Sequence, residues 1–432
     1  MLRSIALLFF LLLAAPASRA DPGKPVAVRW WGQGMVSIET YWNQTVVIDP
    51  YNDNIGYTVP DIDGDLVLVT HEHSDHNNVK AVGGEPEIIR GLSPDGQARA
   101  IDGVFDRMPN NAKPMWYERS SATNVSGHAI KVTSIPSWHD DEQGAKRGAN
   151  AMFVIDVDGM RIVHCGDLGQ NELSAVQVKA MGKVDVLCIP VGGVYTIDGN
   201  QAAAIIDQVE PRIVVPIHYK TDTLTIDLHN LDPFIDAIGD EKTVERVDGN
   251  TLAVAAADDG ATARVVVLGY ESWQPDGELA ELLDKMDAAC QASQQVFSPL
   301  SANQLNWSPP NGTHTPRWNA EHMMGRQLGF FSQIYAAIDP TFKPIDLNPK
   351  QMPPDYKAAH PDWDGTEEAR QMERANAFVR RFAYLLDGVD LDAQAPGSRW
   401  KLRGLLKQMD RHFGEHTANV QKKFELDEWP RE

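Results

Sequence analysis

Residues 66–76 read Leu-Val-Leu-Val-Thr-His-Glu-His-Ser-Asp-His. Leu66 to Val69 is a short apolar run of the kind that forms a buried strand. His71, His73, Asp75 and His76 follow directly, four potential ligands within six residues. Imidazole nitrogen and carboxylate oxygen suit zinc, with manganese and iron as alternatives. A loop leaving a buried strand starts from a fixed point, so it can aim several of these side chains into one cavity. A helix is a poor reading, because the run leads into Asn77-Asn78 and has no apolar face. The plain alternative is a His-rich polar surface loop.

Working outward, Val26 to about Tyr270 is strand-rich. Thr45 to Ile48, Val184 to Pro190 and Ile213 to Ile217 are further apolar runs, and Asp158-Gly159 between Ala151–Asp156 and Met160–Val163 is a hairpin signal. Helical patches at Glu172 to Met181 and Gln201 to Gln208 make the layout mixed α/β. After about Glu271 the apolar spacing changes to near 3.6. Residues 278–297, 317–338, 365–387 and 398–424 read as four helices, which predicts a bundle over 278–432. The turn-like Gln274-Pro275-Asp276-Gly277 puts a linker at 271–277 and closes a first domain at 26–270.

The chain of 432 residues carries a formal net charge of −21, which repels polyanions and points away from nucleic acid. Arg3, the apolar run Ile5 to Ala15 and Ser18-Arg19-Ala20 read as a signal peptide over residues 1–20. A secreted or periplasmic protein, with no stable membrane insertion after cleavage, is the expectation. An uncleaved anchor is the alternative. Cys165, Cys188 and Cys290 are too few for a disulfide framework. The sequence leaves open whether Cys165 and Cys188 pair.

The His-x-His-x-Asp-His run resembles that of the metallo-β-lactamase superfamily, and the resemblance extends over roughly Val26 to Tyr270. Trp31-Gly32 followed by Ile48-Asp49-Pro50 is similar to the opening of the branch that includes ascorbate-6-phosphate lactonase and N-acyl-phosphatidylethanolamine phospholipase D. Ile135-Pro136-Ser137-Trp138-His139, Cys165-Gly166-Asp167 and Pro216-Ile217-His218-Tyr219 resemble that branch's later ligand segments, in the same order. The resemblance implies an αββα sandwich with two divalent metal ions. His71, His73 and His139 would hold one, Asp75, His76 and His218 the other, and Asp167 would bridge them. Asp49 would orient a ligand imidazole from behind. Gly32-Gln33 departs from the branch's usual Gly-His, which leaves a substrate-contact role at that position open. His164 reads as packing or as support behind the ligands.

The helical part resembles the DinB-like four-helix family over roughly Leu279 to Glu425, through Asn303 to Pro309, Trp318-Asn319-Ala320-Glu321-His322 and His412-Phe413-Gly414-Glu415-His416. His412 and His416, four apart, share a helix face. The family's helix-two His falls at Arg326, and His322 lies one turn earlier. His322, His412 and His416 are therefore candidates for a further divalent ion.

This pattern implies hydrolysis of an ester, lactone, amide or phosphodiester in a small-molecule substrate. Two cations sharing a water lower its pKa from about 15.7 toward 7, and Asp75 is placed to accept a hydrogen bond from the resulting hydroxide. Two other readings stay open. One is a non-catalytic metal-binding or sensor protein. The other is a thiol transferase whose activity sits in the helical part.

Overall fold

The computed structural model describes residues 24–106, 115–118, 126–256, 263–352 and 354–431. The leader expected over residues 1–20 lies outside them.

Two sheets face each other. The smaller runs in the order Thr251–Val254, Val26–Trp30, Val36–Glu39, Thr45–Ile48, Leu66–Val69 and Glu87–Arg90. The larger has nine strands, and its centre is Ile213–Ile217, Val186–Pro190, Met160–His164, Ala149–Val157 and Ile130–Trp138. Strand side chains alternate between faces, and the sequence uses that period. Val46, Ile48, Leu66 and Leu68 enter the core between the sheets, whereas Val47, Val67 and Val69 join a second cluster on the far face with Tyr51 and Tyr57. Asp158 and Gly159 both have positive φ, 47° and 73°, the backbone of a two-residue hairpin turn that Asp-Gly favours.

Helices α1 (Ala175–Met181), α2 (Gly199–Val209) and α3 (Asp232–Ile238) pack on the larger sheet through Met181, Ile205, Ile206 and Phe234. The expected helix at Glu172 begins later because Ser174 and Gln177 form a capping box. Asp198 and Gln201 do the same for α2. The short α3 has no long apolar period, and the sequence reading missed it.

The second half contains α4 (Gly277–Phe297), the one-turn α5 (Ala302–Asn306), α6 (Pro316–Ile338), α7 (Gly365–Arg381) and α8 (Leu402–Gln421). α4 packs on α7 and α8, and α6 also packs on α7 and α8, so α4 and α6 sit diagonally in a four-helix bundle. α7 stops six residues short of the expected end, where Ala383–Leu386 tightens into a 3₁₀ turn.

The bundle covers part of the smaller sheet's far face. Ala27, Tyr41 and Ala253 belong to the bundle's apolar cluster rather than to the sheet core. Arg381 at the end of α7 donates from Nε to Glu39 Oε2 at 3.1 Å and from Nη2 to Asn43 Oδ1 at 3.0 Å. Arg29 pairs with the same Glu39 carboxylate. All three cysteines are buried and unpaired. Among the described residues no helix is long and apolar enough to cross a membrane.

Candidate metal centre

The loop after Leu66–Val69 lies between the sheets' ends, and the other strand ends point into the same place. His139 follows Ile130–Trp138, Asp167 lies three residues past Met160–His164, and His218 ends Ile213–Ile217. Asp167 sits in the middle. Its Oδ2 is 3.2 Å from His139 Nε2, 3.3 Å from His218 Nε2 and 3.7 Å from His71 Nε2. Its Oδ1 is 3.2 Å from His76 Nε2. His73 Nδ1 lies 3.1 Å from His71 Nε2 and 3.2 Å from His139 Nε2. His71, His73, His139 and Asp167 form one group of mutually close donor atoms, and Asp75, His76 and His218 form another. The structure thus brings together all seven residues singled out in the sequence.

This geometry fits cations. Nitrogens bound about 2.0–2.1 Å from a tetrahedral ion stand about 3.3–3.4 Å apart, close to the spacings found here. A hydrogen-bonded cluster is a poor alternative, because one proton between two nitrogens cannot also satisfy a third. His76 Nε2 and Asp167 Oδ1 are buried without a hydrogen-bond partner among the described residues.

The ring orientations are fixed from behind. Asp49 accepts from the Thr70 backbone N–H at 2.7 Å, from Thr70 Oγ1 at 2.6 Å and from His76 Nδ1 at 3.0 Å. Because the Thr70 hydroxyl donates to Asp49, it accepts from His71 Nδ1 at 3.0 Å. Both imidazoles therefore carry their proton on Nδ1 and present Nε2 to the cluster. Asn150 accepts the Asp167 backbone N–H at 3.1 Å, which sets the central carboxylate. His164 is buried behind the site. Its Nε2 donates to Gly34 O at 2.8 Å and its Nδ1 accepts from the Gly166 N–H at 3.1 Å, so it supports the loop.

The electrostatics of the seven side chains are strongly coupled. Burial and the neighbouring His76 hold the His71 imidazole well below its ordinary range, and burial with His139 lowers His73. Burial opposes a charge on His76 too, yet Asp167 and Asp75 raise it well above the usual value. Burial likewise opposes the Asp167 carboxylate, but His218 and His76 hold it well below the ordinary range.

The site opens into a cleft of about 540 Å³ walled by His73, Asp75, Arg147, Tyr195, His218 and Ile226. Three residues around it have roles that the sequence reading did not give. Gln33 is fully buried and donates from Nε2 to Asp75 Oδ2 at 2.9 Å. Its place beside Trp31-Gly32 was the available signal. Arg147 donates to Val194 O at 3.0 Å and stacks on Tyr195 at 5.5 Å, which puts a cation at the cleft mouth. Val194 itself has φ 58°, costly for a β-branched residue.

In the bundle, His322 on α6 meets His412 and His416 on α8, with donor atoms within 4.8 Å of one another. Asn348 accepts from His322 Nδ1 at 2.7 Å and Asn319 accepts from His416 Nδ1 at 2.7 Å, leaving both Nε2 atoms for the cluster. Burial, reinforced by the neighbouring imidazoles, pushes His412 down to about 3 and His416 to about 4. Arg326, at the position where the family's helix-two His would fall, stacks on Phe330 at 4.6 Å.

Comparison with known proteins divides the chain the same way. A model of the β-lactamase superfamily domain matches residues 27–218, and one of the DinB superfamily matches 285–418. A metal-dependent hydrolase of Cupriavidus taiwanensis is 30% identical over 238 residues, 48% of this chain and 80% of that protein. The chain belongs to the metallo-β-lactamase superfamily. Its first half is that of a metal-dependent hydrolase. A metal-dependent hydrolase of Thermococcus onnurineus is 26% identical over 200 residues, 45% of this chain and 85% of its own length. Among solved structures, a Thermotoga maritima protein assigned to the same superfamily is 26% identical with a TM-score of 0.40, covering 56% of this chain and 98% of its own.

Proposed function

We propose that the chain is a secreted or periplasmic hydrolase that holds two divalent cations, zinc foremost and manganese or iron as alternatives, and cleaves an ester, lactone, amide or phosphodiester of a small molecule. The observation that carries this reading is the convergence of His71, His73, Asp75, His76, His139, Asp167 and His218 around one carboxylate at ligand-to-ligand spacing. Cations bound there would supply a hydroxide nucleophile at neutral pH and polarise the scissile carbonyl or phosphoryl oxygen.

The chain's own groups do the rest. Asp75 reaches the cleft, and Gln33 fixes its Oδ2, leaving Oδ1 to accept the proton of an attacking water. Asp49 and Thr70 keep the imidazole lone pairs of His71 and His76 turned inward. Arg147, held against Tyr195, sets a positive charge where a substrate oxygen would enter. The net charge of −21 disfavours nucleic acid as the substrate.

The test is turnover of a panel of lactones, phosphodiesters and β-lactams by the purified protein, compared with Asp75→Ala and His76→Ala. Loss of activity in both variants supports the reading. Stoichiometric metal with no turnover on the panel would instead favour a metal-binding sensor. Export is tested by N-terminal sequencing, which should find Asp21 first. The His322, His412 and His416 cluster favours a second reading, a further cation and thiol transfer in the bundle. His412→Ala that leaves every activity intact would remove it.

A further inference from the structure

His139 is followed by a loop, residues 140–148, that folds onto one buried carboxylate, that of Asp140. Asp140 Oδ1 accepts the backbone N–H groups of Glu142 at 2.9 Å and Gly144 at 2.8 Å, and Oδ2 accepts those of Lys146 at 2.9 Å and Arg147 at 2.7 Å. The Gly148 carbonyl then accepts the His139 N–H at 3.1 Å and closes the loop. Bonds to a carboxylate are among the stronger hydrogen bonds, so the Arg147 backbone is fixed relative to His139 and its side chain starts from a set point.

A second segment meets it there. The Tyr195 N–H donates back to Gly193 O at 2.6 Å, a three-residue turn centred on Val194. Val194 is exposed and has φ 58°, so no packing of its own side chain rewards the strain. The turn presents the Val194 carbonyl to Arg147 Nη2, which donates to it at 3.0 Å, and sets the Tyr195 ring 5.5 Å from the guanidinium carbon. Arg147 and Tyr195 both wall the cleft, and Arg147 is the one Lys or Arg among the described residues that do. No carboxylate pairs with it among the described residues, whereas the adjacent Lys146 pairs with Asp141 at 3.3 Å and Glu142 at 2.8 Å. A guanidinium carries five N–H donors. With one Nη2 hydrogen taken by Val194 O, one complete two-donor edge remains, Nη1 with Nη2 or Nε with Nη2 according to which hydrogen is taken.

We propose that this edge anchors a second, anionic group of the substrate, a carboxylate or a phosphate, apart from the bond that is cleaved. Two anionic oxygens side by side match the fork, and a neutral carbonyl engages only part of it. Such a substrate presupposes the hydrolase reading of the metal centre and narrows it to small molecules that bear an acid group. Ile55 and Ile226 also wall the cleft, on segments tied by the Thr225 N–H donating to Ile55 O at 2.9 Å. The remainder of the molecule therefore meets an apolar patch. Arg147 holds the anion, and the rigid loop after His139 sets the span from that anion to the ligand cluster.

The experiment uses the full chain and three probes with no hydrolysable bond: 4-phenylbutyrate, 3-phenylpropylphosphonate and 4-phenylbutanol. Ligand-observed NMR gives their dissociation constants. At least one acid is expected to bind about tenfold tighter than the alcohol or more, the worth of a hydrogen bond to a charged group, and the tighter acid tells carboxylate from phosphate. Arg147→Gln should cut that preference about tenfold, whereas an acid held by cations alone would keep it. Arg147→Lys, which keeps the charge without the fork, should cut it less, and it stands in if Arg147→Gln fails to fold. Equal binding of acids and alcohol, or an undiminished preference in either folded variant, would overturn the proposal. A preference that depends on Arg147, alongside no turnover of any hydrolysable panel compound, would support the anchor and remove the hydrolase reading alone.

Discussion

Asp49→Asn tests the logic of the metal centre without touching any proposed ligand. The backbone tolerates the change, because Asp49 has φ 51° and Asn visits the left-handed region about as readily as Asp. The hydrogen bonds do not. Asp49 Oδ1 accepts one donor, the Thr70 N–H, and Oδ2 accepts two, Thr70 Oγ1 and His76 Nδ1. With the amide NH₂ at the Oδ2 position, it meets His76 Nδ1–H. His76 must then move its proton to Nε2, the atom facing Asp167 at 3.2 Å, and loses the lone pair a cation needs. With the NH₂ at the Oδ1 position, it faces the buried Thr70 N–H, and the residue that launches the His loop is orphaned. Either arrangement costs about 1–3 kcal/mol. That agrees with the 10–100-fold loss of metal affinity usual for such supporting groups, about 1.4–2.7 kcal/mol. Competition against a chromophoric zinc chelator measures it directly, with circular dichroism as the folding control. Affinity within about twofold of the parent, in a folded variant, would refute the argument that Asp49 holds the imidazoles in their metal-ready form.

Three further changes probe other parts of the structure. In Gly34→Ala the new Cβ would stand 2.5 Å from His76 Cε1, and His76 is fully buried, so the ring must shift; elemental analysis should find metal depleted, and undiminished metal content would show that the pocket yields. Arg381→Met leaves Glu39 partly exposed and still paired with Arg29, so the expected loss is about 1.5–2 kcal/mol, the worth of a hydrogen bond to a charged group; an unchanged urea midpoint would deny the contact any part in stability. Burial pushes Asp158 up to about 6 from its ordinary 3.8, against the pull of the Tyr41 N–H, Lys24 and Arg381. The native state therefore binds the extra proton between those values, and stability is lost as pH rises through about 6. Asp158→Asn should remove that loss, raising stability at pH 8 by about 1 kcal/mol after allowance for solvent screening, with no gain at pH 4. Equal melting shifts at both pH values would contradict the assignment.

Much of this architecture can be read from the chain because local signals agree with the tertiary outcome. The run at 66–76 packs a strand and four ligands into eleven residues, so no long-range information is needed to see it. His139, Asp167 and His218 are single residues at strand ends, legible only through their resemblance to known segments. α3 and α5 were too short to show a helical period, and Asn319 and Asn348, which orient His416 and His322, carry no mark in sequence because their role exists only across helices. His322 was legible from its helix face alone. It stands one turn before the family's usual position, at Arg326, on the same helix face, and packing against α8 sets it beside His412 and His416.

The least legible feature is strain. Gln33, Asp49, Val194 and His218 all have positive φ, between 47° and 58°. Asp and His enter that region several-fold more often than other residues with a side chain, so sequence alone points elsewhere for Gln33 and Val194. Each costs on the order of 1–3 kcal/mol and persists only where surroundings over-determine it. Here the strained positions hold one another. The His218 N–H donates to Gln33 O at 2.9 Å, and Gln33 in turn grips Asp75. The backbone thus bends where a ligand from one sheet must meet the loop that steadies a ligand from the other. Packing of the two sheets is what keeps it bent, which is why the seven side chains converge although no single segment of the sequence contains that convergence.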